Sequence, residues 1–470
     1  MTYADRIFDL TLRLPGWAVI ALSSLAALVL GWAYVNRPTL AVAPVLVLIT
    51  LPLVLSAKAR YLAVVFGALF VFQSSDELTN TKLLYLYALG ISFGAILVRL
   101  PSLSRTPAFR DLTPMFRASL ILFAVIAVSL PVSALNDVPQ KMWLRDVAPY
   151  VMVASAPLFA LDAQASFSGR TLRRILVVAG TIGTLGFTAQ WLSNRGIADL
   201  PDFLAVGLPT ILLAATVFAF GVSVLLHGDR RRLAWALLTS AVLAMLLTTG
   251  TRTSFVLLAA PLAIVFGTRQ RLTQRSVRVL VGAPLLAVLV FLGAQAVVSV
   301  TNADREALAA RTTLLFSTGD RSTDQSYIDR LAQTDAAWEA FRSSPIVGTG
   351  PGKPIVFQTL FEGEQANTSV DSPVSLLTKF GLMGIVAAIA VIVGYIGTLR
   401  AFRARTGVRT IPQLALIGFG AVVAAWTLLL NPFEDKGFAL GLMLLLAVGA
   451  REASDAAQAA SASTADDERM

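Results

Sequence analysis

Four stretches of the chain hold side chains whose types and spacing suit chemistry. Thr248-Thr249-Gly250-Thr251-Arg252-Thr253-Ser254 sets one arginine among small polar residues in a sharp turn between two apolar runs. A guanidinium in such a place can fork onto phosphate oxygens at headgroup level; the competing reading is an arginine that only snorkels to water. Further on, Arg330 and Arg342 flank the run from Leu331 to Phe341, where Leu331, Ala336, Ala337, Trp338 and Phe341 interleave with polar residues. That pattern predicts an amphipathic helix lying on a bundle, with its two arginines read in isolation as solvated charges. Ser344-Pro345-Ile346-Val347-Gly348-Thr349-Gly350-Pro351-Gly352 follows, a helix stop and a glycine-rich turn. It either makes a tight connection or offers backbone N–H groups to an anion. Last comes Ser369-Val370-Asp371-Ser372-Pro373, with Lys379 in the helix that begins there. Asp371 is either a helix-start cap or a general base, because a carboxylate beside a low-dielectric surface can take a proton from an attacking hydroxyl. Lys379 is either a snorkelling charge or a partner for a diphosphate.

The rest of the inventory narrows the chemistry. There is no cysteine, and the one histidine, His227, sits in Leu-Leu-His-Gly-Asp-Arg-Arg-Arg, a stretch that reads as a cytoplasmic loop. Cysteine nucleophiles, thiolate zinc sites and histidine dyads on the outer face are therefore excluded, and neither a metal nor a cofactor is expected.

The elements that must position these residues are membrane helices. The chain has 470 residues, 56% hydrophobic and 14% charged, with a mean hydropathy of +0.72. Soluble domains are less apolar, so the expected fold class is an all-α polytopic membrane protein. At roughly 17 to 25 apolar residues per span, about twelve to fourteen spans fit, with one large loop containing short helices. The net charge of +10 does not signal nucleic acid, because most arginines fall in short loops where they set topology. Placing the arginine-rich loops inside sends the loop 300–372 outward. The expected organisation is then 1–299 with about eleven spans, the extracytoplasmic loop 300–372, 373–450 with about three spans, and a disordered cytoplasmic tail 451–470. Residues 1–16 carry Asp5, Arg6, Asp9 and Arg13 among Ile7, Leu10 and Leu14, which predicts a short helix on the membrane surface and no cleaved signal peptide.

Thr248 to Ser254, then Arg330 with Ala336 to Gly352, then Asp371-Ser-Pro-Val-Ser-Leu-Leu-Thr-Lys-Phe-Gly-Leu-Met-Gly384, occur in an order that resembles the O-antigen ligase and polysaccharide polymerase family of bacterial inner membranes. The likeness runs from about Leu233 to Leu399. It implies a multi-pass inner-membrane glycosyltransferase with its active site on the extracytoplasmic side. A polyprenyl-diphosphate-linked glycan is the implied donor, a glycan hydroxyl the acceptor, and the bilayer and further polysaccharide-assembly proteins the implied partners. Attack at the anomeric carbon expels lipid diphosphate with inversion, so the enzyme needs a positive clamp and a base more than a strong acid or a metal. Arg252, Arg330, Arg342 and Lys379 are the implied clamp and Asp371 the implied base. The sequence departs from the ligases at one point: their His-Asn pair falls on Val370 and Asp371 when counted back from Gly381, and a one-residue gap would bring Asp371 onto the histidine position. That departure favours a polymerase joining repeat units over a ligase that moves finished glycan to a lipid or protein acceptor. A lipid-linked oligosaccharide flippase or transporter would show internal repeats and charges deep in several helices, and the sequence presents neither.

Overall fold

The computed structural model describes residues 49–71, 79–194, 210–227, 325–359, 363–368, 370, 372–407 and 409–467, with shorter pieces between 233 and 281 that include 259–267. Its helices are α1 (Ala57–Val71), α2 (Asn80–Leu103), α3 (Pro107–Leu135), α4 (Gln140–Ser166), α5 (Gly169–Asn194), α6 (Ile211–His227), α7 (Ala259–Gly267), α8 (Gln325–Ser343), α9 (Ser375–Thr406), α10 (Ile411–Trp426) and α11 (Lys436–Asp467). Five are long and apolar enough to cross a membrane: α2, α3, α4, α9 and the first part of α11. The protein is an all-α polytopic membrane protein. Arg252 and Asp371, the expected surface helix 1–16, the apolar run Trp17 to Val35 and most of Val277 to Val300 lie outside the described residues.

Helix starts follow local chemistry. Pro107 and Pro412 stand in first turns, where the missing N–H costs nothing. Thr410 and Gln413 form a reciprocal capping box at the head of α10. α3 begins about three turns before the apolar run Ala118 to Leu135, because Asp111 in the added turns is matched by Arg405 at 2.9 Å.

Side-chain contacts fix the directions. α3 and α9 are antiparallel: Asp111 near the start of α3 meets Arg405 near the end of α9, while Ser133 at the far end of α3 donates to Pro351 O at 3.0 Å, just ahead of α9. α4 and α11 run parallel, since Tyr150 meets Glu434 ahead of α11 and Gln164 O accepts from Arg451 further along. The bundle thus has two charged ends. At one, the buried Asp162 takes Arg60 at 2.8 Å and Arg99 at 2.6 Å, and Arg60 also donates to Leu53 O and Val54 O. At the other lies Asp146, discussed below.

α8, the turn after it and a β-hairpin form a cap at the Asp146 end. The hairpin pairs β1 (Ile355–Thr359) antiparallel with β2 (Gly363–Asn367), Ile355 opposite Asn367 and Thr359 opposite Gly363. Ala337, Ile355, Phe357 and Val370 make a small core that joins α8 to β1 and to the chain entering α9. The packed face of α8 differs from the expected one. Ala337 is fully buried, whereas Leu331 and Trp338 are exposed at 45% and 39%. A strand can approach a helix closely over alanine, so the small residues face β1 and the bulky ones turn outward.

The tail is corrected as well. Residues 451–467, expected to be disordered, continue α11. Alanine favours helix strongly enough to carry it on, and Arg451–Asp455 at 2.9 Å, one turn apart, with Arg173 paired to Glu452, anchors the extension.

α9 is broken. Gly381 has φ 59° and ψ −150°, splitting off a short first segment from Ser375 to Phe380. The freed backbone groups are taken up by the glycine-rich turn: Thr349 N donates to Thr378 O at 2.8 Å, Gly350 N to Lys379 O, Leu382 N to Pro345 O and Met383 N to Ile346 O. Non-helical backbone at such a depth is tolerated where protein buries it. Gly348 shows why the turn is built on glycine: φ is 73°, and a Cβ there would stand 2.5 Å from the Lys379 carbonyl carbon. Gly348→Ala is expected to cost more than about 1 kcal/mol, read as a lower unfolding temperature of the detergent-solubilised protein by size exclusion after heating.

Candidate active site

Where the cap meets the bundle, three elements bring ionisable groups together. α4 begins Gln140-Lys-Met-Trp-Leu-Arg-Asp146, so Arg145 and Asp146 enter with its second turn. The first segment of α9 carries Lys379, and the 3₁₀ turn Pro432–Glu434, held by Asn431 accepting from Phe433 N, carries Glu434. Lys379 is 4% exposed. Its Nζ lies 3.1 Å from Asp146 Oδ2 and 3.0 Å from Glu434 Oε1. Asp146 is the hub: it also takes Arg145 at 3.1 Å, the Gly352 N–H at 3.0 Å and the Thr368 hydroxyl at 3.5 Å. Arg145 itself donates to Thr368. Glu434 Oε1 accepts from Tyr150 at 3.2 Å and from Ser375 at 3.0 Å, while Asn431 Nδ2 donates to the Tyr150 oxygen at 2.8 Å. The Tyr150 ring is wedged edge-on against Phe380, centroids 4.8 Å apart.

Two cations and two carboxylates make this cluster neutral. A buried charge is tolerated when it is paired, and here Lys379 lies between Asp146 and Glu434 while Asp146 also takes Arg145. Next to it, burial pushes the Asp435 carboxyl up to about 6, against the lowering effect of the Gly437 N–H that it accepts.

The residues singled out in the sequence are distributed unevenly. Lys379 is neither snorkelling nor open to solvent; its ammonium is held by Asp146 and Glu434. Arg330 and Arg342 are both exposed on α8, twelve residues apart, which is about 18 Å along the axis. Arg342 lies over the Trp338 ring at 6.0 Å. These three are therefore not gathered into one clamp in this structure. The glycine-rich turn is a docking piece: the N–H groups of Thr349, Gly350 and Gly352 all go to protein acceptors, so they are not aimed at an anion. On either side of Asp371, Val370 and Ser372 are buried at 3% and 0%. Ser372 Oγ accepts from the Thr334 hydroxyl and the Val374 N–H. α9 starts with Val374 as its cap residue, so Asp371 stands ahead of the cap position.

Sequence reasoning missed Asp146, Glu434, Tyr150 and Asn431. The available signal was a set of charges at the mouths of apolar segments, which in a membrane protein marks a site by default.

One wall of the cluster is continuous with an apolar groove between α9 and α10. It has a volume of about 520 Å³, is walled by Ile385, Ile389, Ile392, Tyr395, Ile417 and Val423, and ends at Asn431 and Phe433. Ile389, Ile392 and Ile396 are about half exposed, so the groove opens sideways, where a bilayer would be.

No curated protein matches the chain. Residues 236–389 match the family model described as O-Antigen ligase. The matched stretch includes Arg252, the cap and the broken start of α9, and leaves Asp146 and Glu434, the two carboxylates that hold Lys379, outside it. Over that third of the chain, the match supports an O-antigen ligase or polymerase-like membrane enzyme family.

Proposed function

We propose that this protein is an inverting, metal-independent glycosyltransferase of the bacterial inner membrane. In this reading it polymerises polyprenyl-diphosphate-linked repeat units of a surface polysaccharide on the extracytoplasmic face. The observation that carries it is the family match over 236–389, which spans Arg252, Arg330, Arg342, Asp371 and Lys379. The groove supports a lipid-linked donor: its walls are apolar along their length and polar at the end next to Ser375 and Asn431. The arginine-rich loops support placing the cap outside, since Arg99, Arg105, Arg110, Arg170, Arg173 and Arg174 all stand toward the Asp162 end.

Asp371 is the base in this reading. Of the two positions that could replace the ligases' histidine, Val370 is fixed in the apolar cap core and has no proton to move. The acceptor hydroxyl gives its proton to Asp371 as its oxygen bonds to the anomeric carbon, and the bond from that carbon to the diphosphate oxygen breaks. Arg252 is the cation assigned to the leaving diphosphate in this reading; Arg330 and Arg342, exposed and far apart on α8, are not part of one clamp with it. Lys379 fixes the floor of the site. Arg252→Ala is expected to abolish transfer while membrane insertion and yield are unchanged, because an arginine at the membrane boundary contributes little to folding. Full activity in that variant would remove Arg252 from the clamp.

The family description favours a second reading, a ligase that passes glycan to a lipid or protein acceptor. Purified protein given lipid-diphosphate-linked repeat units from producing cells separates the two. A ladder of lengths on a gel supports the polymerase. Product formed only after a separate acceptor is added supports the ligase, and no product with either overturns both.

A further inference from the structure

The outward-turned side of the cap has a chemistry of its own. α9 shows a continuous exposed apolar stripe, Leu382, Val386, Ile389, Val393 and Ile396, from 43% to 62% exposed. The spacing of 4, 3, 4 and 3 residues keeps them on one side of a helix that is apolar enough to span a membrane, so this stripe faces lipid. The cap extends it. Leu382 N and Met383 N donate to Pro345 O and Ile346 O, which holds the turn after α8 level with the upper end of the stripe. There Ile346 is 66% exposed. One turn back along α8, Phe341 packs on the exposed Trp338 with ring centroids 5.3 Å apart, and the Arg342 guanidinium lies over the Trp338 ring.

We propose that Trp338, Phe341 and Ile346 form a membrane-interface anchor, by which the cap rests in the phospholipid of the leaflet on its own side. The order of residues matches the order of a bilayer. An aliphatic side chain stands at acyl depth beside Leu382, and an aromatic pair sits above it at the level where tryptophan concentrates. An arginine rides on the tryptophan and can reach phosphodiester oxygens from there. The occupant is argued from continuity: Pro345 and Ile346 each accept one backbone hydrogen bond from a helix whose exposed face is already apolar over its length. This placement stands whether or not the enzymatic reading does.

The chain lacks cysteine, so single introduced cysteines can be labelled cleanly. Full-length Ile346→Cys, Trp338→Cys, Val393→Cys and Glu364→Cys variants would carry an environment-sensitive nitrobenzoxadiazole probe. Each would be placed in nanodiscs of phosphatidylethanolamine and phosphatidylglycerol, where both faces are open to solutes. Val393 reports the lipid-facing middle of α9, and Glu364, exposed on β2, reports water. The Ile346 probe should be quenched by lipids with a nitroxide near the headgroup and should be several-fold less sensitive to aqueous iodide than the Glu364 probe. The Trp338 probe should show intermediate behaviour, and it preserves the test if Ile346→Cys folds poorly. Iodide quenching at both positions equal to that at Glu364 overturns the proposal. So does protection from iodide without lipid quenching, which would mean that a second copy or another protein covers the patch.

Discussion

Asp371→Asn lowers glycan transfer by about 10²–10⁴-fold, the range a positioned general base contributes, with donor binding and thermal stability close to those of the parent. The change removes a proton acceptor and keeps the shape, so the loss should fall on kcat. The measurement is the initial rate of glycan elongation with saturating lipid-linked repeat unit, together with donor binding by a filter assay. Full elongation in the variant would strike Asp371 from the mechanism. Of its sequence neighbours, Val370 is packed in the small cap core and Ser372 accepts from Thr334 and the Val374 N–H.

Lys379→Met should be the most damaging single change to stability. It leaves Asp146 and Glu434, with side chains 6% and 17% exposed, facing each other without the ammonium that joins them. Removing one partner of a buried ion pair costs about 3–5 kcal/mol. The expected result is a large fall in the temperature at which the detergent-solubilised protein leaves its monodisperse peak. Adding Asp146→Asn and Glu434→Gln removes the excess negative charge and should recover a good part of that loss. A Lys379→Met protein as stable as the parent would mean that the cluster contributes no net cohesion. Since Asp146 also holds Gly352 and Thr368, the same variant should loosen the cap, visible as faster amide exchange over 345–352.

The long helices were legible because apolar runs such as Leu83 to Leu100 and Leu172 to Leu192 have few other stable fates in a chain this hydrophobic; both lie inside α2 and α5. The ends of helices were less so. Tertiary pairs such as Asp111–Arg405 and Arg173–Glu452 let helices run on through polar sequence that looked like loop. The β-hairpin gave little pattern, since only β1 alternates buried and exposed while β2 is exposed nearly throughout. The ionic cluster was hidden for a different reason. Gly352 and Asp146 are 206 residues apart, and no spacing within one segment reveals that a turn, two helix starts and a 3₁₀ turn converge. Asp371 and Lys379 stood out in sequence because they sit by a proline-marked helix start; the carboxylates that hold Lys379 did not.

The sideways opening of the groove between α9 and α10 has a kinetic consequence. In the reading proposed above, a carrier lipid entering there would never leave the plane of the membrane, so it would meet the enzyme by two-dimensional diffusion and the spent carrier would depart the same way. The relevant donor concentration is then its mole fraction among the surrounding lipids. Rates should fall when inert lipid is added at a fixed bulk amount of donor and should hold steady when vesicles of one composition are diluted in buffer.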